Sequence, residues 1–396
     1  MLFSTILTNQ MHIMLTWKTA GLAWVGAGAL KACMVAAYRS TDFEVHRNWF
    51  AITASLPLSR WYYEDTSEWT LDYPPLFAWF QRLLGLLAPL FDEDMLRISA
   101  APYESAGTIL FQRLSVIVTE LILVVAVLVH SHSANANSSK SALHGPAIAV
   151  LLALNAGLFI TDHVHFQYNG FLLGLLVLSA TLVNQGRHLA AALLFSILLN
   201  MKHLFLALGP AYFVYLLRWH CLEPCTNCWN TRRSSVGVLA RFSILGFSVL
   251  SIFALAWGPF YASGGLRALA QILQRLFPFG RGLCHAYWAP NVWVAYNLAD
   301  KALIKILGSR GAVGATMTGG LVAEAHHTWL PRISPLISAL LSLSAMLPAL
   351  SHVWQYNTGE GVGGAEGRGG RGTRTEQRPC MVHMIAVCSL AAFLFG

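Results

Sequence analysis

The chain has 396 residues, of which 56% are apolar and only 11% charged, and its mean hydropathy is +0.54. Soluble domains carry roughly 25% charged residues, so the composition argues against a water-soluble globular protein and for helices buried in lipid. The net charge of +8 does not indicate nucleic-acid binding, because residues 39–106 hold five Arg against ten Asp and Glu while the basic excess lies elsewhere. An odd count of seven Cys argues against a disulfide framework.

Apolar runs fall at about 18–38, 108–129, 146–161, 170–184, 188–201, 204–217, 236–258, 332–352 and 381–395. They predict an all-α polytopic membrane protein with about nine spans, although several runs are shorter than the ~20 residues a spanning helix needs. With the N-terminus in the cytosol, residues 130–145, 184–188, 218–235 and 353–380 fall on the cytosolic side. Those segments carry Lys140, Arg187, Arg218, Arg232, Arg233, Arg368, Arg371, Arg374 and Arg378 and few acids, as the positive-inside rule requires. The long segments 39–107 and 259–331 then lie on the opposite side of one membrane domain spanning 1–396. No cleavable signal peptide is expected, because Met1–Trp17 lacks a clean apolar core.

The segment 39–107 places Asp42, Glu44, His46, Arg47, Asp65, Glu68 and Asp72 against a membrane surface, among Trp49, Trp61, Trp69 and Trp79. Tyr73-Pro74-Pro75 restricts the backbone immediately after Asp72. An acid held before a rigid turn at the water boundary suits a general base acting on a substrate delivered in the membrane. An interfacial loop of solvated charges is the plainer alternative, but such helices favour Lys and Arg and this loop is acidic.

Further along, Ser131–Ser141 and the Gly/Arg run Gly359–Gly372 read as flexible cytosolic linkers. Cys221, Cys225 and Cys228 behind His220 have a spacing that zinc or an iron–sulfur cluster can use. Nothing else in that short loop supports a cofactor, so reduced thiols and no metal are expected. Polar residues recur at the same side of the membrane as the acidic loop. His163, His165, Gln167, Tyr168 and Asn169 join two apolar runs, Lys202 and His203 follow at the next turn, and Arg275, Arg281 and His285 lie in the last large loop. Any one cluster can simply satisfy helix ends. Together, cations beside carboxylates suit a site that binds phosphate and deprotonates a hydroxyl. Glu120, in mid-span, is expected to point into the bundle rather than at lipid.

The segments STDFEVHRNW, WTLDYPPLFAWF, DHVHFQYNGFLLG, FPFGRGLCHAYWAPN and MTGGLV closely resemble the endoplasmic-reticulum glucosyltransferases that use dolichyl-phosphate glucose in N-glycan assembly. The resemblance runs from about Ser40 to the C-terminus, and GLCHAYWAPN at 282–291 is similar to the members that add the second α-1,3-linked glucose. It implies a GT-C fold, a helical membrane bundle whose first luminal loop carries the catalytic acid, and it puts Asp72 at the position of the general base. The implied partners are dolichyl-phosphate glucose, a dolichyl-pyrophosphate-linked oligosaccharide and membrane lipid, with no cofactor. From their charge and placement, rather than from the resemblance, Lys202, Arg275, Arg281 and His285 are expected to stabilise the phosphate leaving group, and Asp42, Glu44, Arg47 and Tyr73 to contact substrate with the 163–169 and 202–203 clusters.

Members of this family usually continue for several further spans, and a His-Val-His-Glu-Lys motif follows directly after FLFG, where this sequence stops. On that basis the bundle is expected to be incomplete at the C-terminus, and an inactive membrane scaffold stays open as an alternative. A transporter is the other alternative; it would gather ionisable residues near the bilayer midplane and show internal repeats.

Overall fold

Ser40 accepts a hydrogen bond from the Asp42 amide through its side chain, and Asp42 and Glu44 occupy the first turn of the helix it caps. Acids at a helix N-terminus offset its positive end, so the acidic stretch forms a helix, Thr41–Ser55. This is seen in a computed structural model of the chain, which describes residues 18, 21–22, 24–135, 151–152, 154–222, 235–277, 291–308, 327–355, 385 and 387–390. Among the described residues every regular element is helical.

Two units are distinguished. The first comprises residues up to 204 together with 243–276. Its helices are α1, residues 24–32, α2 (Thr41–Ser55), α3 (Pro75–Gly85), α4 (Ala106–Thr119), α5 (Leu121–Asn135), α6 (Asn169–Asn184) and α7 (His188–Met201). α3 starts at Pro75, where a missing amide costs nothing. α4 is capped by Ser105, whose hydroxyl accepts from the Thr108 amide. α5 packs on α6, α6 on α7, and α2 and α7 both on α3. A Cβ at Gly174 would lie 2.7 Å from the Leu123 amide nitrogen, so glycine there permits the close backbone approach of α5 and α6. With Gly170 one turn earlier it forms the small-xxx-small pattern that packs membrane helices.

α9 (Ser235–Leu276) has an interior break at Gly265, with φ 61° and ψ −151°, a conformation that glycine adopts without penalty. The sequence predicts a luminal loop from 259 onward. The structure instead keeps the chain helical to Leu276, and residues 266–276 form an arm beyond the break carrying Arg267, Gln271 and Arg275.

The second unit comprises residues 205–242 and 277–396. It holds α8 (Gly209–Leu216), which packs on α11 (Pro335–Gln355), and α10 (Val292–Leu307). The Asp300 carboxylate on α10 accepts from the backbone amides of Thr328, Trp329 and Leu330 at 2.8–3.0 Å, closing the 327–330 turn onto that helix. Burial opposes ionisation there, but those three amides win and hold Asp300 below the usual carboxylate range.

Among the described residues, four helical stretches are long and apolar enough to cross a membrane: Ala106–Ser131, His203–Leu222, Val236–Leu276 and Pro335–Gln355. The predicted runs 170–184 and 188–201 appear as α6 and α7, of 16 and 14 residues. Residues 131–135, read from the sequence as the start of a linker, continue α5. Cys225, Cys228 and the Gly/Arg run lie outside the described residues. Cys221 is a buried free thiol.

Candidate active site

Asp72 lies on an extended segment pinned on both sides. From α2, Asn48 Nδ2 donates to the Trp69 carbonyl at 2.9 Å and Trp49 Nε1 to the Thr70 carbonyl at 3.1 Å. After Asp72, the Tyr62 hydroxyl donates to the Tyr73 carbonyl at 2.7 Å. The Leu71 side chain is wholly buried, and the Tyr73 ring packs on Trp49 and Phe77 at 4.9 and 4.8 Å. Asp72 itself is half-buried, whereas Asp65 and Glu68 in the same loop are exposed. The segment is therefore fixed at its backbone while Asp72 stays partly exposed.

A second wall is built by the turn before α6. Gln167 Nε2 donates to Asp42 Oδ2 at 2.9 Å, and His165 Nε2 lies 3.1 Å from the same oxygen. Asn169 Nδ2 bridges Asp162 and Gln167 at 2.9 and 2.8 Å, and Asn169 Oδ1 accepts from Lys202 Nζ at 3.0 Å. Lys202 Nζ stands 5.4 Å from the Tyr73 ring centre, and the His203 ring meets Tyr73 edge-on at 6.4 Å. Burial raises the Tyr73 phenol above the usual tyrosine range; Lys202 opposes this and Asp72 and Asp42 reinforce it. The Tyr73 ring therefore lies between the Trp49 and Phe77 rings on one side of the site and the Lys202 ammonium and His203 ring on the other.

The turn itself is anchored from below. Asp162 accepts from the Gly170 amide at 2.6 Å, and burial pushes its carboxyl up to about 7. A side chain at Gly170 would meet the Glu120 side chain at 2.7 Å, so glycine admits both acids to the start of α6. Burial holds His163 below the usual histidine range, and its Nε2 shares a 2.7 Å hydrogen bond with Glu120. Lys31 Nζ reaches the same Glu120 oxygen at 2.5 Å. Tyr168 is buried and its hydroxyl pairs with Ser115 at 2.7 Å. His163 and Tyr168 therefore support the turn, while His165, Gln167 and Asn169 face Asp42 and Lys202.

Three expected substrate contacts are engaged by protein groups. Arg47 is 0% exposed and Glu44 9%. The guanidinium grips Glu44 at 2.6–2.9 Å and donates to the Met95 and Arg97 carbonyls at 2.9 Å. The pair ties α2 to the 95–97 turn, and its one-turn spacing on a helix was the signal for that. Arg275 likewise donates to protein atoms, the Tyr62 carbonyl at 3.2 Å and Thr70 Oγ1 at 3.1 Å. Arg281 and His285 lie outside the described residues.

Sequence reasoning did not assign Lys31, Tyr62, Gln271 or His46. A lone lysine in an apolar run, matched by a lone glutamate in another, was the available signal for Lys31. His46 sits among Trp49, Phe77, Phe166 and Tyr168 with ring centres 4.8–5.7 Å away. Burial, reinforced by the Lys202 charge, lowers it to about 3, so it stays neutral and packs as an aromatic. Among the described residues no group of three or more metal-ligating side chains is gathered.

Apolar helices of spanning length, with buried ion pairs turned inward, define a helical membrane protein. The chain belongs to the ALG6, ALG8 glycosyltransferase family, whose model matches residues 27–396. It is 45% identical over 392 residues to the dolichyl pyrophosphate Glc1Man9GlcNAc2 alpha-1,3-glucosyltransferase of Mus musculus, covering 96% of this chain and 70% of that protein. The protein of that name in Bos taurus is 43% identical over 392 residues, with the same coverage. The one in Arabidopsis thaliana is 44% identical over 335 residues, 83% of this chain and 62% of that protein.

Proposed function

We propose that this chain transfers glucose from dolichyl-phosphate glucose to a monoglucosylated dolichyl-pyrophosphate-linked oligosaccharide, adding an α-1,3-linked glucose. The observation that carries the reading is that Asp72 sits on a segment whose backbone is pinned at the Trp69, Thr70 and Tyr73 carbonyls, next to Tyr73, whose ring centre lies 5.4 Å from the Lys202 ammonium. Asp72 takes the proton of the acceptor hydroxyl as its oxygen attacks the anomeric carbon in line. The bond from that carbon to the phosphate oxygen breaks, the β-linked donor becomes an α-linked product, and dolichyl phosphate leaves with its negative charge beside Lys202. Placing a cation where charge develops is worth most in a site shielded from water. Asp42, His165, Gln167 and Asn169 form a polar wall suited to sugar hydroxyls. In this reading the domain has the GT-C fold in the endoplasmic-reticulum membrane, with 39–107 and 259–331 in the lumen and 353–380 in the cytosol.

The assay is conversion of monoglucosylated to diglucosylated lipid-linked oligosaccharide in microsomes whose only source of this activity is the chain. Dolichyl-phosphate glucose should support turnover and a sugar nucleotide alone should not; the reverse preference rejects the donor. Lys202→Ala is expected to reduce turnover by about 10²-fold, with Lys202→Arg intermediate. An unchanged rate in Lys202→Ala would remove the lysine from leaving-group stabilisation. For orientation, a cysteine placed near Ser67, at the exposed Thr66, should resist an impermeant thiol reagent in sealed microsomes and react once they are opened. Labelling of the sealed vesicles would invert the topology and dismiss the luminal site.

A further inference from the structure

Resting on the reading of Asp72 as the base, we propose that Tyr62 and Arg275 are positioning residues for it, with the arm 266–276 of α9 serving as a brace on the Asp72 segment. The two parts are more than 200 residues apart in the chain. Gln271 Nε2 donates to the Tyr62 carbonyl at 3.0 Å and Arg275 Nε to the same oxygen at 3.2 Å, while Arg275 Nη1 donates to Thr70 Oγ1 at 3.1 Å. The Tyr62 ring is 3% exposed and packs against Phe260 at 5.4 Å. Its hydroxyl then holds the Tyr73 carbonyl. That carbonyl precedes Pro74, and the helix that follows takes its first bonds from the Pro74 carbonyl instead. Arg275 therefore holds the chain two residues before Asp72, and Tyr62 holds it one residue after.

The arm has a defined origin. The apolar stretch of α9 ends near Pro259, and the break at Gly265 lets residues 266–276 leave the direction of the preceding helix. Two of its long polar side chains, Gln271 and Arg275, meet on one carbonyl because they lie four residues apart on the same helical face. A guanidinium can engage two acceptors from one side chain, so Arg275 fixes the Tyr62 and Thr70 positions relative to each other. A displacement of about 1 Å at a reacting group can cost about 10²-fold in rate, so the brace acts on the chemical step rather than on substrate affinity.

The test separates this role from phosphate binding by Arg275. In the microsomal assay, Arg275→Ala is expected to lower kcat by about 10²-fold with little change in KM for dolichyl-phosphate glucose. Arg275→Lys, which keeps the charge but replaces the planar guanidinium fork with a single nitrogen, should recover part of that loss. Tyr62→Phe, which deletes a single oxygen and leaves the packing against Phe260, should lower kcat by about 10-fold. Thr70→Val should lower kcat in the otherwise unchanged chain and add little once Arg275 is Ala, as expected for residues sharing one interaction. A raised KM with kcat preserved in Arg275→Ala, or unaltered kcat in both Tyr62→Phe and Thr70→Val, would overturn the brace. If Arg275→Ala fails to accumulate, the latter two variants decide. Asp72→Asn is measured alongside: normal turnover there rejects the base assignment, whereas its loss combined with intact Tyr62→Phe and Thr70→Val rejects the brace alone.

Discussion

Asp72→Asn is expected to slow glucose transfer by about 10²–10⁴-fold, the usual cost of losing a general base. Asparagine keeps the size and most of the hydrogen bonding of aspartate, and the segment stays pinned through the Trp69, Thr70 and Tyr73 backbone. The loss should therefore appear in kcat, with the protein's thermal stability in detergent little altered. Asp65→Asn and Glu68→Gln serve as controls, because both side chains are exposed in the same loop and charges in such settings contribute little. Near-normal turnover in Asp72→Asn, or a larger loss in Glu68→Gln, would move the base to another acid. Wild-type chain that accumulates in microsomes yet transfers no glucose would favour the scaffold alternative.

The second large effect is on stability. Lys31 and Glu120 are each 2% exposed, and the ammonium meets the carboxylate at 2.5 Å with His163 on the same oxygen. Replacing Glu120 with Ala strands the lysine charge away from water, which costs about 3–5 kcal/mol for a buried pair that loses one member. It also removes the partner of His163, in the turn that presents His165, Gln167 and Asn169. A marked fall in melting temperature in detergent is expected. Lys31→Met combined with Glu120→Met should restore most of it, because apolar side chains of similar length need no partner in a helical bundle. If Glu120→Ala alone melts like the parent protein, the pair is not holding α1 against α4, α5 and the 159–165 turn.

The same double variant separates scaffold from chemistry. It keeps the turn in place through Asp162 and the Gly170 amide, so turnover should recover together with stability. Recovered stability without turnover would give Glu120 a part in the reaction that its position below Asp162 does not suggest.

Sequence alone determined the class of this protein and marked the stretch on which the proposed chemistry rests. Composition and apolar runs are sums over neighbouring residues, and a helix forms its backbone bonds within four residues, so helices and their lipid-compatible faces are locally encoded. The acidic stretch, Asp72 before Tyr73-Pro74-Pro75, and the family motifs are contiguous strings, legible without any fold. Which partner each charged side chain takes is different, because that depends on segments brought together from far away in the chain. Asp42 meets the turn 123 to 125 residues later, Lys31 finds Glu120 across 89 residues, and Arg275 reaches back 213 residues to Tyr62. Glu44 and Arg47 look from the sequence like Asp42 and Asp72, yet packing of α2 takes them out of water and makes them structural. Burial turns an ionisable group into a structural one when its bonds are completed inside the protein, and only the tertiary structure decides which groups those are.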